Sequence, residues 1–333
     1  MTNIMTPRVN KEFNVLDIMK YVMAIIVVAI HTRPEYSFES ETVRALFESV
    51  YSIAVPYFFI ASGFLLFRKI IFPLNSEGEA RILAYIKRIF KLYVIWTIIY
   101  LPFTFYGFYK DSVSPLKSII IFIRNVAFVG ENFMSWPLWY LLALIIAVCI
   151  IYVLMKYRFP MLWIVGLSIL VAFIGYILDY CNENGIMQTI TDLYYSIFLK
   201  TRNGFFVGFL YVSLGMFLAK TKKISLGAFA CCLIIGLIGY AFHLPFFNVL
   251  VVLGLFGISV SIRLEKVNPR VSCRFRKMST IIYFTHMIFV APLLLWFGFT
   301  QGVSLFCVVI TLVVALSLFL TQLHEGFLKL LFD

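Results

Sequence analysis

The chain has 333 residues, of which 62% are hydrophobic and 13% charged, with a net charge of +12 and a mean hydropathy of +0.97. A soluble domain carries roughly twice that charged fraction, so the composition excludes an ordinary soluble enzyme. Apolar runs of about twenty residues recur without period-two alternation. They read as membrane-crossing helices, which satisfy every backbone amide where lipid offers no partner.

The first run, LDIMKYVMAIIVVAIHTR from Leu16 to Arg33, is apolar yet carries Asp17, Lys20 and His31. An ionisable residue inside a bilayer costs about 2.5–3.5 kcal/mol on insertion scales, so such residues turn toward a protein interior or cavity. Lys20 and His31 stand eleven residues apart. At about 3.6 residues per turn this places both on one helix face, about 16 Å apart. Asp17 lies one turn below Lys20, and the spacers Ala24 and Val27 are small. The pattern predicts a polar track leading from one membrane face toward the other. Two readings stand together here. One is an interfacial histidine with an Asp17–Lys20 ion pair near the inner headgroups. The other is a working imidazole, able near neutral pH to act as general base or transient nucleophile. The charge in this run, and HTRPEYS after it, argue against a cleavable signal peptide.

Ten spans follow in order, at about 14–32, 45–67, 89–107, 137–155, 160–180, 203–220, 225–243, 247–264, 279–298 and 302–322. The run 118–129 is too short to cross and is interrupted by Arg124, which predicts an interfacial or re-entrant helix. Met187, Ile190, Leu193, Tyr194, Ile197 and Phe198 recur at helical spacing and predict an amphipathic surface helix over 187–199. Basic residues concentrate in alternate loops. Arg68, Lys69, Arg81, Lys87, Arg88 and Lys91 lie in 68–91, and Arg263, Lys266, Arg270, Arg274, Arg276 and Lys277 in 263–278. Lys156 with Arg158, and Lys220 with Lys222 and Lys223, form smaller groups. Ten spans with both termini cytoplasmic put all of these inside, which explains the positive charge without nucleic acid. The expected fold is all-α, a polytopic bundle of about ten transmembrane helices in a single domain over 1–333.

Six scattered cysteines (149, 181, 231, 232, 273 and 307) show neither metal spacing nor a disulfide framework, so their expected role is structural. No phosphate loop, dinucleotide fingerprint or nucleophile elbow is present. Glu48 falls in the outer part of the second span, where it orients His31, binds an acceptor or makes a structural hydrogen bond. Trp136, Trp139 and Tyr140 sit where the fourth span meets the outer interface, as an aromatic belt or as a platform for a sugar ring. Arg202 and Asn203 open the sixth span from outside, lining a cleft or anchoring the helix. His286 reads as an interhelical histidine with its hydrogen bonds satisfied. His243 and His324, at span ends, receive no role. Ser62-Gly63 reads as a close helix–helix contact.

Lys20-x10-His31 is a weak signal alone, but five longer blocks accompany it in order. They are VPYFFIASGFLLF at 55–67, YIKRIFKLYVIW at 85–96, WPLWYLLALI at 136–145, TRNGFFVGF at 201–209 and MSTIIYFTHMIF at 278–289. Together they resemble the acyltransferase-3 family of ten-helix membrane proteins, with a core at about 14–325. That family's first helix carries Arg, ten residues, then His, and here lysine replaces the arginine. The resemblance implies transfer of an acyl group, often acetyl, from cytoplasmic acyl-CoA to a hydroxyl of a cell-surface sugar or lipid-linked acceptor. It makes His31 the catalytic position and implies a multi-pass protein of the bacterial plasma membrane, while Glu48 is a candidate helper on its position in the second span alone. Lys20 stands at the donor-binding position, with Asp17 beside it, and lysine offers a point charge where arginine offers a planar fork. Arg68, Lys69 and Arg88, with Lys87 and Lys91, are candidates for the CoA phosphates at the inner mouth, or serve ordinary inside-positive orientation. Trp139, Tyr140, Arg202 and Asn203 are the candidates for the acceptor. The donor is acyl-CoA, the surrounding partner is membrane lipid, and no metal is implied. A second reading is a carrier of small amino acids. It favours inverted repeats and helices broken near the midplane, for which Pro56 is the main candidate and no repeat is visible.

Overall fold

A computed structural model describes residues 13–221, 225–242, 244, 246–262, 268–322 and 331–332, and these contain helices and no strand. The helices are α1 (Asn14–Thr32), α2 (Glu41–Phe67), α3 (Ser76–Lys110), α4 (Pro115–Arg124), α5 (Trp139–Lys156) and α6 (Met161–Glu183). They continue with α7 (Gln188–Phe198), α8 (Phe209–Lys220), α9 (Leu226–Ala241), α10 (Phe247–Ser261), α11 (Pro269–Leu295) and α12 (Val303–Leu320). Every run read from the sequence as a span falls on a helix. Six stretches among the described residues are long and apolar enough to cross a membrane: α1, α2, α6 and α12, with Trp136–Lys156 and Arg270–Leu295. Gly204–Lys220, Leu226–Ala241 and Phe247–Ser261 are apolar but shorter.

Boundaries differ from expectation where charge sits on helices rather than in loops. α3 begins at Ser76, well before the expected residue 89, because Asn75 caps it by accepting from the Gly78 amide at 2.8 Å. Ile82 and Ile89 then bury one face, so Arg81, Lys87, Arg88 and Lys91 ride on the other sides of a helix. α11 likewise starts at Pro269, behind an Asn268 cap on the Arg270 amide at 2.9 Å. Arg270, Arg274, Arg276 and Lys277 therefore occupy its first turns. Lys222, Lys223, His243, Arg263, Lys266 and His324 lie outside the described residues.

α1 is central, packing against α2, α10, α11 and α12. Its buried residues Met23, Ala24, Val27 and Val28 are small or unbranched at the contact. In lipid such contact is driven by close van der Waals fit rather than by escape from water. α1 ends at Arg33, whose φ of 50° is left-handed, with its amide donating to Ala29 O at 2.8 Å. α2 and α8 meet backbone against backbone. A Cβ on Gly63 would lie 2.3 Å from Val212 O, and one on Gly215 2.2 Å from Ile60 O. The close contact expected at Ser62-Gly63 is thus present. α4 and α7 form as the short helices expected at 118–129 and 187–199, and Arg124 joins them by donating to Ser196 O at 3.3 Å.

Candidate active site

The N-terminal ends of α1, α3 and α11 and the C-terminal end of α2 enclose two adjoining cavities of about 790 and 420 Å³. Lys20, Ser62, Leu65, Tyr85, Arg88 and Arg276 line both. The larger one adds Asp17, Arg68, Lys69 and Arg81, so its wall carries six cationic side chains and one carboxylate. Asp17 accepts from Ser272 Oγ at 2.9 Å and faces the Arg276 guanidinium at 3.7 Å. Arg68 lies 4.8 Å over the Phe13 ring, and Arg88 5.4 Å over Tyr85. Lys20, Asp17, Arg68, Lys69 and Arg88, read separately from the sequence, therefore meet on one wall. Arg276 and Arg81 join them. A count of basic residues in loops missed their direction because both are helical.

The smaller cavity runs deeper into the bundle and ends against Phe58, Tyr140, Tyr283 and Phe284. Tyr140 shares a 2.8 Å hydrogen bond with Ser62 Oγ and donates to Phe58 O at 3.3 Å. The Tyr283 hydroxyl donates to Pro137 O at 2.7 Å. The two tyrosine rings meet edge to face at 5.6 Å. Tyr140, expected at the outer acceptor side, has its ring on the wall of this smaller cavity. The 3-10 turn Trp136–Leu138 before α5 sets Trp136 against His31, and Tyr140 follows one helical turn later.

Beyond that aromatic layer lies His31. Its ring runs nearly parallel to Trp136 (centroids 5.6 Å, planes 26° apart) and to His286 (5.2 Å, 28°). Lys20 and His31 both face α11, as the eleven-residue spacing requires. His286 is fully buried, its Nδ1 lies 3.1 Å from Ile282 O, and its Nε2 has no partner among the described residues. The expectation of a satisfied interhelical histidine fails on that nitrogen. The available signal was the i, i+3 pairing of Tyr283 with His286 on an apolar helix, and their rings do meet at 6.4 Å.

At the opposite end from the cationic chamber, Arg33, Lys200 and Arg202 lie within electrostatic reach of His31. Lys200 pairs with Glu131 at 2.5 Å, and the Arg202 guanidinium covers the Trp139 ring at 4.7 Å. Trp139 is therefore buried beneath an arginine rather than offered to a sugar. Glu48 is exposed, because α2 begins at Glu41 and residues 41–50 project past the packed bundle. The buried carboxylate at that end is Glu35, which pairs with Arg33 at 3.3 Å and accepts from the Tyr51 hydroxyl. Asn203 is also taken. Its Oδ1 accepts from the Phe205 and Phe206 amides, and its Nδ2 donates to Tyr194 Oη at 2.6 Å and Lys200 O at 3.2 Å. It caps the helical stretch from Gly204 and has no donor left for a ligand. Among the described residues, no three His, Cys, Asp or Glu side chains gather to hold a metal.

An all-helical bundle with helices long and apolar enough to cross a membrane, and a cationic chamber on one side of two adjacent imidazoles, defines an integral membrane protein with a polar site in its interior. The chain belongs to the acyltransferase-3 family, whose acyltransferase domain matches residues 13–322. It is also similar to an amino-acid racemase of Enterococcus faecalis, with 30% identity over 226 residues, covering 64% of this chain and 29% of that protein. A serine/alanine racemase of Enterococcus gallinarum is 28% identical over 235 residues, covering 67% and 32%. The chain thus spans about a third of the length of these relatives. No solved structure matches.

Proposed function

We propose that this protein transfers an acyl group, most simply acetyl, from cytoplasmic acyl-CoA to a hydroxyl of a cell-surface polysaccharide, glycolipid or similar acceptor. The observation that carries the reading is Lys20. It lines both inner cavities, and one face of α1 leads from it to His31. CoA is polyanionic, and the larger cavity offers Lys20, Arg68, Lys69, Arg81, Arg88 and Arg276 to its phosphates. The pantetheine arm would lie in the smaller cavity with its thioester toward Tyr140 and Tyr283. His31 would then take the proton of the acceptor hydroxyl while the new C–O bond forms and the C–S bond breaks, or would carry the acyl group itself. This reading sets ten crossings in a bacterial plasma membrane with both termini cytoplasmic, consistent with the basic residues at the chamber.

The test is acyl-CoA binding and acceptor-dependent CoA release by purified protein in nanodiscs. Saturable binding, with CoA release lost in His31→Ala, is the expected result. A protein that binds no acyl-CoA refutes the reading. A second reading is a carrier of small amino acids; the enterococcal relatives are named as racemases of amino acids, which supplies a candidate cargo. Uptake of labelled serine or alanine by proteoliposomes, indifferent to acyl-CoA, would establish that reading instead.

A further inference from the structure

His286 has no part in the reaction as just written, and its chemistry is unfinished. Nδ1 meets the Ile282 carbonyl, which can only accept, so Nδ1 carries the hydrogen and Nε2 presents a bare lone pair. That lone pair is buried without a partner among the described residues, a state that costs stability and that a phenylalanine of similar volume would avoid. Packing alone therefore gives no reason for an imidazole here.

The group able to complete it is His31. Their centroids are 5.2 Å apart. Two imidazoles joined by one N–H···N bond span about that distance, with roughly 1.1 Å from each centroid to its nitrogen and about 3 Å between nitrogens. The rings are stacked with planes 28° apart, and the terminal torsion of histidine is soft, so ring rotation can turn one nitrogen of each toward the other and close the bond.

From this unpaired nitrogen beside His31 we infer that His286 is the positioning residue of the acyl-transfer site, accepting the N–H of His31 and holding its proton during transfer. The inference rests on the acyl-transfer reading and deepens it. In the direct route, one His31 nitrogen takes the hydroxyl proton of the acceptor as its oxygen bonds to the acyl carbon. The N–H proton at the other His31 nitrogen passes to His286 Nε2, whose Nδ1–H stays on Ile282. As the C–S bond breaks, the thiolate takes the proton held by His31, and His286 returns its own to His31. One acceptor proton ends on CoA and both rings regain their starting state. The charged and titratable groups around the pair are Arg33 on the α1 side, Lys200 and Arg202 before α8, and Tyr283 on α11, with Glu131, Tyr100 and Tyr140 acting on Tyr283.

The experiment is NMR of ¹⁵N-histidine-labelled protein in nanodiscs across pH, with His286→Phe to remove the acceptor at near-constant volume and His286→Gln to restore one. The wild type should show through-bond coupling between one ring nitrogen of each histidine. In His286→Phe the His31 tautomer should change and its titration midpoint should move by about one pH unit. CoA release should fall about 100-fold in that variant with KM for acyl-CoA unchanged, and His286→Gln should recover part of it. Absence of the coupling in wild type overturns the inference even if no variant folds, and so do unchanged His31 signals in His286→Phe. These readouts need no substrate. A wild type without acyl-CoA binding refutes the acyl-transfer reading, and missing histidine coupling refutes this one, so the two failures are separable.

Discussion

Trp96, midway along α3, donates its indole N–H to the carbonyl of Leu331 at 2.7 Å, across 235 positions of sequence. The contact seats Phe332 against Trp96 (5.7 Å) and Phe284 (6.3 Å), on the wall of the smaller inner cavity. The C-terminal residues thereby help set how much room a bound arm has.

Phe332→Ala should enlarge that cavity and shift acyl preference toward longer chains. A change of about 10-fold in the butyryl-to-acetyl rate ratio is expected, within the range for methylene-sized pocket differences. The check is CoA release with each donor, and an unchanged ratio removes Phe332 from the acyl pocket.

His31→Ala should lower turnover by about 10²–10⁴-fold, the scale of a lost general base, while the thermal melt moves little. Glu48→Gln should leave turnover near wild type, since that carboxylate is exposed. Equal damage from both variants would contradict the separation of Glu48 from the site.

Lys20→Ala should weaken acyl-CoA binding by about 1–3 kcal/mol, as expected for a charge-assisted contact. Lys20→Arg should keep most of the affinity, because it preserves charge at the junction of the two cavities. Calorimetric titration of both variants decides this, with melts alongside because Asp17 shares the same wall. Full affinity in Lys20→Ala would remove Lys20 from donor binding.

Gly63→Ala should lower Tm, because the added methyl would meet a backbone carbonyl at 2.3 Å that cannot rotate away. Overpacking of this kind costs about 1–3 kcal/mol. A melt equal to wild type would mean that α2 and α8 separate easily.

A cysteine at Ser76, introduced after removal of the native ones, should resist membrane-impermeant reagent added outside cells. One at Gln188 should react. Reversed labelling would invert the assignment of the cationic chamber to the cytoplasm.

The helical bundle was legible because long apolar runs leave the backbone few alternatives in lipid. Lys20 and His31 were legible as one face because helical periodicity is rigid over three turns. Their partners were not, since Arg276, Trp136 and His286 reach α1 only through tertiary packing of α11 and the turn before α5. Glu48 shows the opposite error. Its sequence position suggested burial, yet a helix that outruns its neighbours leaves its first turns unpacked. Asn203 left cleft lining and helix anchoring both open, because a polar residue opening an apolar helix has the same signature as a cap, and it caps.

The aromatic layer between the inner chamber and the imidazoles has an electrical consequence. A membrane at 100 mV stores about 2.3 kcal/mol for each elementary charge that crosses it. A wet channel lined by lysine, arginine and histidine would conduct protons down that gradient. Phe58, Tyr140 and Tyr283 instead meet edge to face at 5.6–6.3 Å, with both tyrosine hydroxyls tied to the protein. On the acyl-transfer reading, the neutral acyl group is the one part of the donor that must pass this layer, and the phosphates stay behind it. The bundle then works as an insulated feed-through that passes chemical cargo without carrying current, so the cell can modify its surface without discharging its membrane.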